Sequence, residues 1–284
     1  MKGKIRTFLV DLLTVTVGNL LVFLRPNKVR ELSENGISLV LNNNLSPTER
    51  LMRRALLKKM ESSKDFDALA RLHKNYWVNQ GDDFVNVTEN NLENIHLPNY
   101  KFVFDLLADQ ITQHSLQFDT LVEIGTGNGS VLNYLSTKFP TINNFVGIDL
   151  SEKQIETNKA TFSENSKLEF VAADAIEWFK NQQKRDQIVL TFRGVFEYFT
   201  QHQLAKFLAK INSLGNIVFI AIEPVGEGHD FKTMFDSQIY GVEGSFSHNY
   251  IKQFQDAGFS VWHYELKKET GYENPMSIVC AQNF

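Results

Sequence analysis

Cysteine is almost absent from this chain: among 284 residues only Cys280 occurs. One thiol makes neither an internal disulfide framework nor a multi-cysteine zinc site, and it suits a reducing compartment. A continuous run of about 20 apolar residues, the length a membrane-spanning helix needs, is missing too. The nearest approach, Phe8 to Leu24, is shorter and contains Asp11, Gly18 and Asn19. No small-residue cleavage site follows it, because Leu24-Arg25-Pro26 is a poor one, so secretion is not expected. Basic charge is scarce where a nucleic-acid surface would need it. Residues 61–284 carry 18 Lys+Arg against 29 Asp+Glu, a net −11, and neutralising phosphates requires the opposite sign. Nucleic acid is therefore not an expected partner.

What is present is enough apolar material for a sizeable core, 43% hydrophobic with 12% aromatic residues. The first 60 residues differ in charge, with 11 Lys+Arg against 4 Asp+Glu. Their apolar run is flanked by Lys2, Lys4 and Arg6 before it and Arg25, Lys28 and Arg30 after it. Two readings stand: a helix in the membrane interface with basic flanks on anionic headgroups, or a helix buried against the main domain. The expectation is a cytoplasmic protein in which residues 1–30 are the candidate for membrane-surface contact. A second basic stretch, Arg50, Arg53, Arg54, Lys58 and Lys59, falls in a helix capped by Ser46 with Pro47 in its first turn, and reads as a solvated face.

Residues 61–118 read as a helical lead-in. Helical spacing runs from Asp65 to Trp77, Asn79-Gln-Gly-Asp-Asp reads as a break, and the stretch to Asn94 as irregular. A periodic helix follows Pro98, with Phe102, Val103, Leu106, Leu107 and Ile111 on one face. His73, Tyr76 and Trp77 either cap a ligand pocket or seal a core.

From residue 119 to 284, short apolar strands alternate with helical segments, which implies a parallel sheet covered on both faces. The fold class expected is α/β: a seven-stranded, mostly parallel, doubly wound sheet with an α-helical N-terminal extension. The strands are predicted at 120–124, 145–149, 168–172, 187–192, 216–222, 259–266 and 276–282, the last two able to form an antiparallel hairpin. In such a sheet ligands bind beyond the carboxyl ends of the strands, where strand order reverses. Strand one runs into Glu123-Ile-Gly-Thr-Gly-Asn-Gly, where glycine lets a ligand approach bare backbone. Strand two ends at Asp149, which suits ribose hydroxyls, and Asp174 follows strand three, where a carboxylate suits the adenine amine, with Ile148, Leu150 and Ile176 about the ring.

Over roughly residues 99–284 this ordered set resembles the class I S-adenosylmethionine-dependent methyltransferases, through Glu123 to Gly129, Val146-Gly-Ile-Asp149 and Val171-Ala-Ala-Asp174-Ala. A dinucleotide dehydrogenase would prefer G-x-G-x-x-G; here Ser130 holds the sixth place. The resemblance implies S-adenosylmethionine as cofactor. It implies cofactor-binding roles for Glu123, Gly125, Thr126, Gly127, Asp149, Leu150, Asp174, Ala175, Phe192 and Arg193, with Arg193 alternatively an ordinary ion pair. It implies methyl transfer to a small organic acceptor, O-methylation first and N-methylation second. Candidate catalytic residues are His248, Glu197 and Tyr198, with His229 also weighed as a base; each has a structural alternative, His248 as a helix cap, His229 in a polar loop and Glu197 as a brace of the turn after strand four. No acid ends strand four, so a metal-assisted mechanism is not expected, and no Asn-Pro-Pro-Tyr follows it. The reading from a different class is a non-catalytic, membrane-associated protein that binds S-adenosylmethionine or serves in assembly.

Overall fold

The computed structural model describes residues 9–36, 45–87, 91–114, 117–269 and 274–284. The chain forms two compact units, one of residues 1–80 with 239–245, the other of 81–238 with 246–284.

The first unit is helical: α1 (Leu9–Leu24, with a π-turn at Thr14–Gly18), α2 (Pro26–Asn35), α3 (Pro47–Ser62) and the start of α4 (Phe66–Val87). The α3 start follows the expected chemistry, since the Ser46 side chain accepts from the Glu49 N–H and the Glu49 carboxylate accepts from the Ser46 N–H at 2.7 Å. Two expectations fail here. The basic stretch on α3 is not wholly a solvated face, because Arg53 is fully buried and ion-paired with Glu243; a charge inside is tolerated only when paired. The break at Asn79 is absent, since α4 runs on through Gly81. Its polar side chains have local work there: Asn79 donates to the Asn75 carbonyl at 2.9 Å, and Gln80 to Asn35 and Gly36 at 3.1 and 2.9 Å. The Gln80 bonds satisfy carbonyls that the end of α2 leaves open.

The second unit holds a π-turn (Leu92–His96), α5 (Leu97–Gln113) and the alternating core. This runs β1 (Thr120–Ile124), α6 (Ser130–Lys138), β2 (Asn144–Asp149), α7 (Glu152–Thr161), β3 (Leu168–Ala172), α8 (Ala175–Lys180), β4 (Gln187–Phe192) and α9 (Gln201–Asn212). It continues with β5 (Ile217–Pro224), then the short strands β6 (Gln238–Tyr240) and β7 (Ser245–Ser247) at the two ends of the 239–245 stretch that belongs to the first unit, and then α10 (Tyr250–Asp256), β8 (Ser260–Lys267) and β9 (Met276–Gln282). The main sheet has the order β3-β2-β1-β4-β5-β9-β8, with only β9 antiparallel to its neighbours, as the predicted terminal hairpin requires.

Successive strand residues point to opposite faces, and each face has its own core. Leu121, Phe145, Ile188 and Leu190 pack with Val103, Phe104 and Leu107 of α5 and Leu132 and Leu135 of α6. Val122, Val146, Val189 and Phe219 pack with Phe179, Leu204, Phe207 and Phe254 on the other side. Covering both faces explains why the strands read as unbroken apolar runs. The order reverses between β1 and β4, so the carboxyl ends of β1, β2 and β4 surround one crevice.

Candidate active site

The β1 turn is built by short-range bonds. Gly125 and Thr126 both donate to the Ile148 carbonyl, at 2.8 and 3.1 Å, and Gly129 donates to the Thr126 carbonyl at 2.9 Å. Gly125, Gly127 and Gly129 take φ of +69°, +51° and +72°, a region where a side chain is strained. Space also forbids side chains: a Cβ on Gly129 would stand 2.8 Å from the Phe170 ring, and one on Gly125 2.6 Å from Val195 Cγ2. That second distance lays the loop after β4 directly against the β1 turn.

Three acids line this edge. Glu123 is buried and accepts from the Thr126 hydroxyl at 2.8 Å. Burial pushes its pKa up to about 8, since no cation stands among its influences and Asp149 adds like charge. Asp149 accepts from the Gly127 N–H and from the Ser151 N–H, each at 3.0 Å, and burial raises its pKa despite those bonds. With the Leu150 N–H also bearing on it, the carboxylate keeps acceptor capacity for a ligand hydroxyl. Asp174 is the N-cap of α8, one oxygen accepting from Ile176 at 2.8 Å and Glu177 at 3.2 Å. Leu150 is half-buried beside Asp149 and Ala175 is buried beneath Asp174. Ile148, expected against a ligand ring, instead lies in the core with Val146 and Phe179. Asn158, which the sequence did not single out, donates to the Gly127 carbonyl at 2.7 Å from α7 and so holds the turn from below.

The end of β4 is a second cluster. Phe192 meets the rings of His96 and Tyr100 edge-on, with centroids 5.0 and 5.3 Å away. Arg193 has φ +63°, strained for a non-glycine residue, and its guanidinium binds both oxygens of Glu269 at 2.5 and 2.7 Å. Tyr100 also donates to Glu269. Arg193 is thus an ion pair, with a partner 76 residues away. Burial and the neighbouring Arg193 lower the His96 pKa to about 4, and its Nδ1 is buried with no hydrogen-bond partner among the described residues. At the end of β5, Glu223 accepts from the Val195 and Phe196 N–H groups at 2.9 and 3.0 Å, fixing the loop that faces Gly125. Glu197 leans over this loop, its Oε1 2.6 Å from where a Gly194 Cβ would be, and Glu197 and Tyr198 are half-buried on the 3₁₀ turn Phe196–Tyr198.

The two histidines weighed as bases lie elsewhere in function. His248 is fully buried, with Nδ1 bonded to Ser237 Oγ at 2.5 Å and Nε2 to the Phe196 carbonyl at 2.9 Å. Both nitrogens are engaged, and burial lowers its pKa to about 4, which corrects the expectation of a general base: it clasps the β4 loop to the segment after β5. His229 is spent likewise on Ser247 Oγ at 2.8 Å and the Met234 carbonyl at 3.2 Å. His73, Tyr76 and Trp77 serve their own helical unit, His73 bonding the Gly244 carbonyl at 3.2 Å and Tyr76 meeting Trp77 edge-on at 5.2 Å.

Comparison with known proteins bears on the domain and the fold. Residues 121–215 match the family model described as a methyltransferase domain. A solved structure of magnesium protoporphyrin IX methyltransferase from Synechocystis PCC 6803, with S-adenosylmethionine bound, is 15% identical; the match covers 76% of this chain and 97% of that one at a TM-score of 0.53. An S-adenosylmethionine-dependent methyltransferase from Clostridium acetobutylicum ATCC 824 is 12% identical over 70% of this chain and 97% of that one, at a TM-score of 0.49. No curated protein matches in sequence. At 15% identity and a TM-score of 0.53 the likeness to the first of these speaks for the fold alone, and the family model speaks for the segment from β1 to the turn before β5. The segment from residue 121 to 215 is thus similar to a methyltransferase domain, and it opens a seven-stranded sheet of the order found here.

Proposed function

We propose that this chain transfers the methyl group of S-adenosylmethionine to an oxygen of a small organic acceptor seated at the end of β4. The observation that carries the reading is Glu123: a buried carboxyl beside an open glycine turn, its pKa pushed up to about 8 by burial, with no salt bridge to a cation among the described residues. A ligand bearing an ammonium group beside a sulfonium supplies that missing positive charge. Asp149 would take the ribose hydroxyls on its remaining lone pairs, Asp174 the adenine amine, and Leu150 and Ala175 the ring. Thr126 and the Gly125 and Gly127 backbone would line the methionine portion, with the Phe192 and Arg193 carbonyls opposite.

When bound, the cofactor supplies a methyl group already activated for in-line displacement, so the protein's task is alignment and exclusion of water. The rings of Phe192, Tyr100 and His96 form an apolar wall for that purpose. A hydroxyl acceptor must also lose a proton. His96, its pKa lowered to about 4, is neutral at pH 7, its Nδ1 has no partner among the described residues, and Glu269 nearby favours the imidazolium that would form. It is therefore the base favoured here, with Glu197 and Tyr198 at the other side of the loop.

Isothermal titration with S-adenosylmethionine tests the cofactor half. Because the ligand's cation favours ionised Glu123, affinity should rise with pH and level off near pH 8; absence of binding to folded protein would sink the enzyme reading. The acceptor half is tested by incubating the protein with methyl-labelled cofactor and whatever small molecule copurifies with it. A new O-methyl resonance is expected, and an N-methyl product would replace the oxygen acceptor by an amine.

A further inference from the structure

The amino-terminal unit carries a surface that methyl transfer does not use. One face of α1 is committed to α3: Thr14 and Gly18 are buried, and a Cβ on Gly18 would stand 2.9 Å from the Leu51 carbonyl oxygen and 3.1 Å from Ala55 Cβ. Asp11, the one acid on α1, is ion-paired with Lys58 of α3 at 2.7 Å. The opposite face is apolar and open. Leu9, Leu12, Leu13, Leu20, Phe23 and Leu24 recur at helical spacing with exposures from 46% to 81%, Phe23 being the most exposed. Amphipathic helices normally turn such a stripe inward, and a contiguous exposed apolar patch marks an interaction surface.

Charge says which surface it fits. The stripe ends at Arg25, and Arg30 of α2 is exposed one turn and a half further on. Beside Phe23 and Val22 lies a groove of about 1250 Å³ bordered by Lys59, Lys64, Glu61 and Lys58, the last paired with Asp11. The first 60 residues carry 11 Lys+Arg against 4 Asp+Glu, whereas the rest of the chain is acidic. A protein partner would need an acidic rim around an apolar centre; an anionic bilayer presents that arrangement everywhere. Among the described residues no single helix is long and apolar enough to span; α1 and α2 have the length and apolarity only together, and they meet at a 101° bend at Pro26, a shape suited to lying on a bilayer. The sixteen described residues of α1 give roughly 24 Å of length, against a hydrocarbon core of roughly 30 Å.

We propose that α1 lies in the interface of an anionic membrane, with Leu12, Leu20 and Phe23 buried at the acyl boundary and Arg25 and Arg30 on the headgroups. The test is co-sedimentation of the full chain with vesicles of phosphatidylcholine alone or with about one-third phosphatidylglycerol. The wild type should pellet with the anionic vesicles on the order of tenfold more strongly than with neutral ones. Leu12→Gln, Leu20→Gln and Phe23→Gln together, all at exposed positions, should abolish pelleting while cofactor titration stays unchanged. Arg25→Glu with Arg30→Glu should remove the anionic preference, and serves should the first variant fail to fold. Failure of the wild type to pellet, or equal pelleting of the folded variants, overturns the proposal. So does a concentration-dependent dimer in analytical ultracentrifugation that the triple variant abolishes, since the stripe would then join two copies of the chain.

Discussion

The two halves of the crevice are built in different ways. At the end of β1, Glu123, Thr126, Gly127, Asp149, Ser151 and Asn158 bond to one another across at most 31 residues. At the end of β4, Arg193 meets Glu269 across 76 residues and Tyr100 meets Glu269 across 169. The first half repeats chemistry that any ligand of one kind requires, so it sits in a short contiguous motif. The second half is assembled from the lead-in helix, the β5 end and the segment after β8, which can vary without touching the β1 turn. Mutations should therefore separate them.

The largest effect is expected at the β4 end. Removing one partner of the buried Arg193–Glu269 pair by Arg193→Met leaves an uncompensated carboxylate that Tyr100 alone must satisfy. Breaking buried pairs of this kind costs about 3–5 kcal/mol. Urea denaturation should show that loss for Arg193→Met, and most of it should return in the double variant Arg193→Met, Glu269→Met. No recovery would mean that packing, and not charge, governs the site.

Next is a pH effect that belongs to the β1 end. The Glu123 carboxyl, ordinarily near 4.5, titrates at about 8 in the folded chain. Between those values the folded state binds a proton that the unfolded state has released, so stability falls as pH rises through this window. Glu223, also pushed up to about 8 by burial, acts in the same direction. Glu123→Gln should flatten the fall between pH 5 and pH 8 by on the order of 2–3 kcal/mol and abolish the pH dependence of cofactor binding. A stability profile identical to the wild type would show that Glu123 is ionised in the folded chain.

Asp149→Ala should follow, weakening S-adenosylmethionine binding by on the order of 2 kcal/mol, or about thirtyfold, since two charge-assisted hydrogen bonds to the ribose go at once. Calorimetry at pH 8 measures this directly. The same change at the β4 end, in Glu269, should leave cofactor affinity within a few-fold of wild type if the two halves are as separate as their construction implies.

Legibility followed the same division. Glu123, the three glycines and Asp149 were readable because an apolar strand that stops at an acid or a glycine has few explanations other than a ligand edge. Glu223 carries that same signal, an acid closing the apolar run Ile217–Ile222, and was passed over because a proline follows it and the segment beyond reads as a loop. Glu269 had no local signal: in Lys267-Lys-Glu it looks like any solvated charge, and only the fold brings it under Tyr100 and Arg193. His96 was hidden in a polar stretch that reads as irregular and folds as a π-turn. His248 shows the reverse error. A histidine in a loop near a sheet edge looks like a base, yet its meaning depends on what occupies its two nitrogens, and that is a tertiary fact.

The smallest expected effect tests that last point. If His248 only clasps, its worth is the pair of hydrogen bonds from Ser237 and to the Phe196 carbonyl, plus ring packing on Tyr250, whose centroid is 5.6 Å away. His248→Gln keeps one donor and one acceptor in reach and should cost only about 1–2 kcal/mol of stability. Its effect on turnover should be no more than a few-fold, and the pH–rate profile should keep its shape, because a residue that holds no proton in flight contributes no ionisation to it. His96→Phe, which preserves the wall beside Phe192 but removes the unengaged nitrogen, should instead lower turnover by about a hundredfold with cofactor affinity intact. The converse pattern, a lost limb in the pH–rate profile of His248→Gln and none in His96→Phe, would return the proton to the loop after β5 and make the clasp the base.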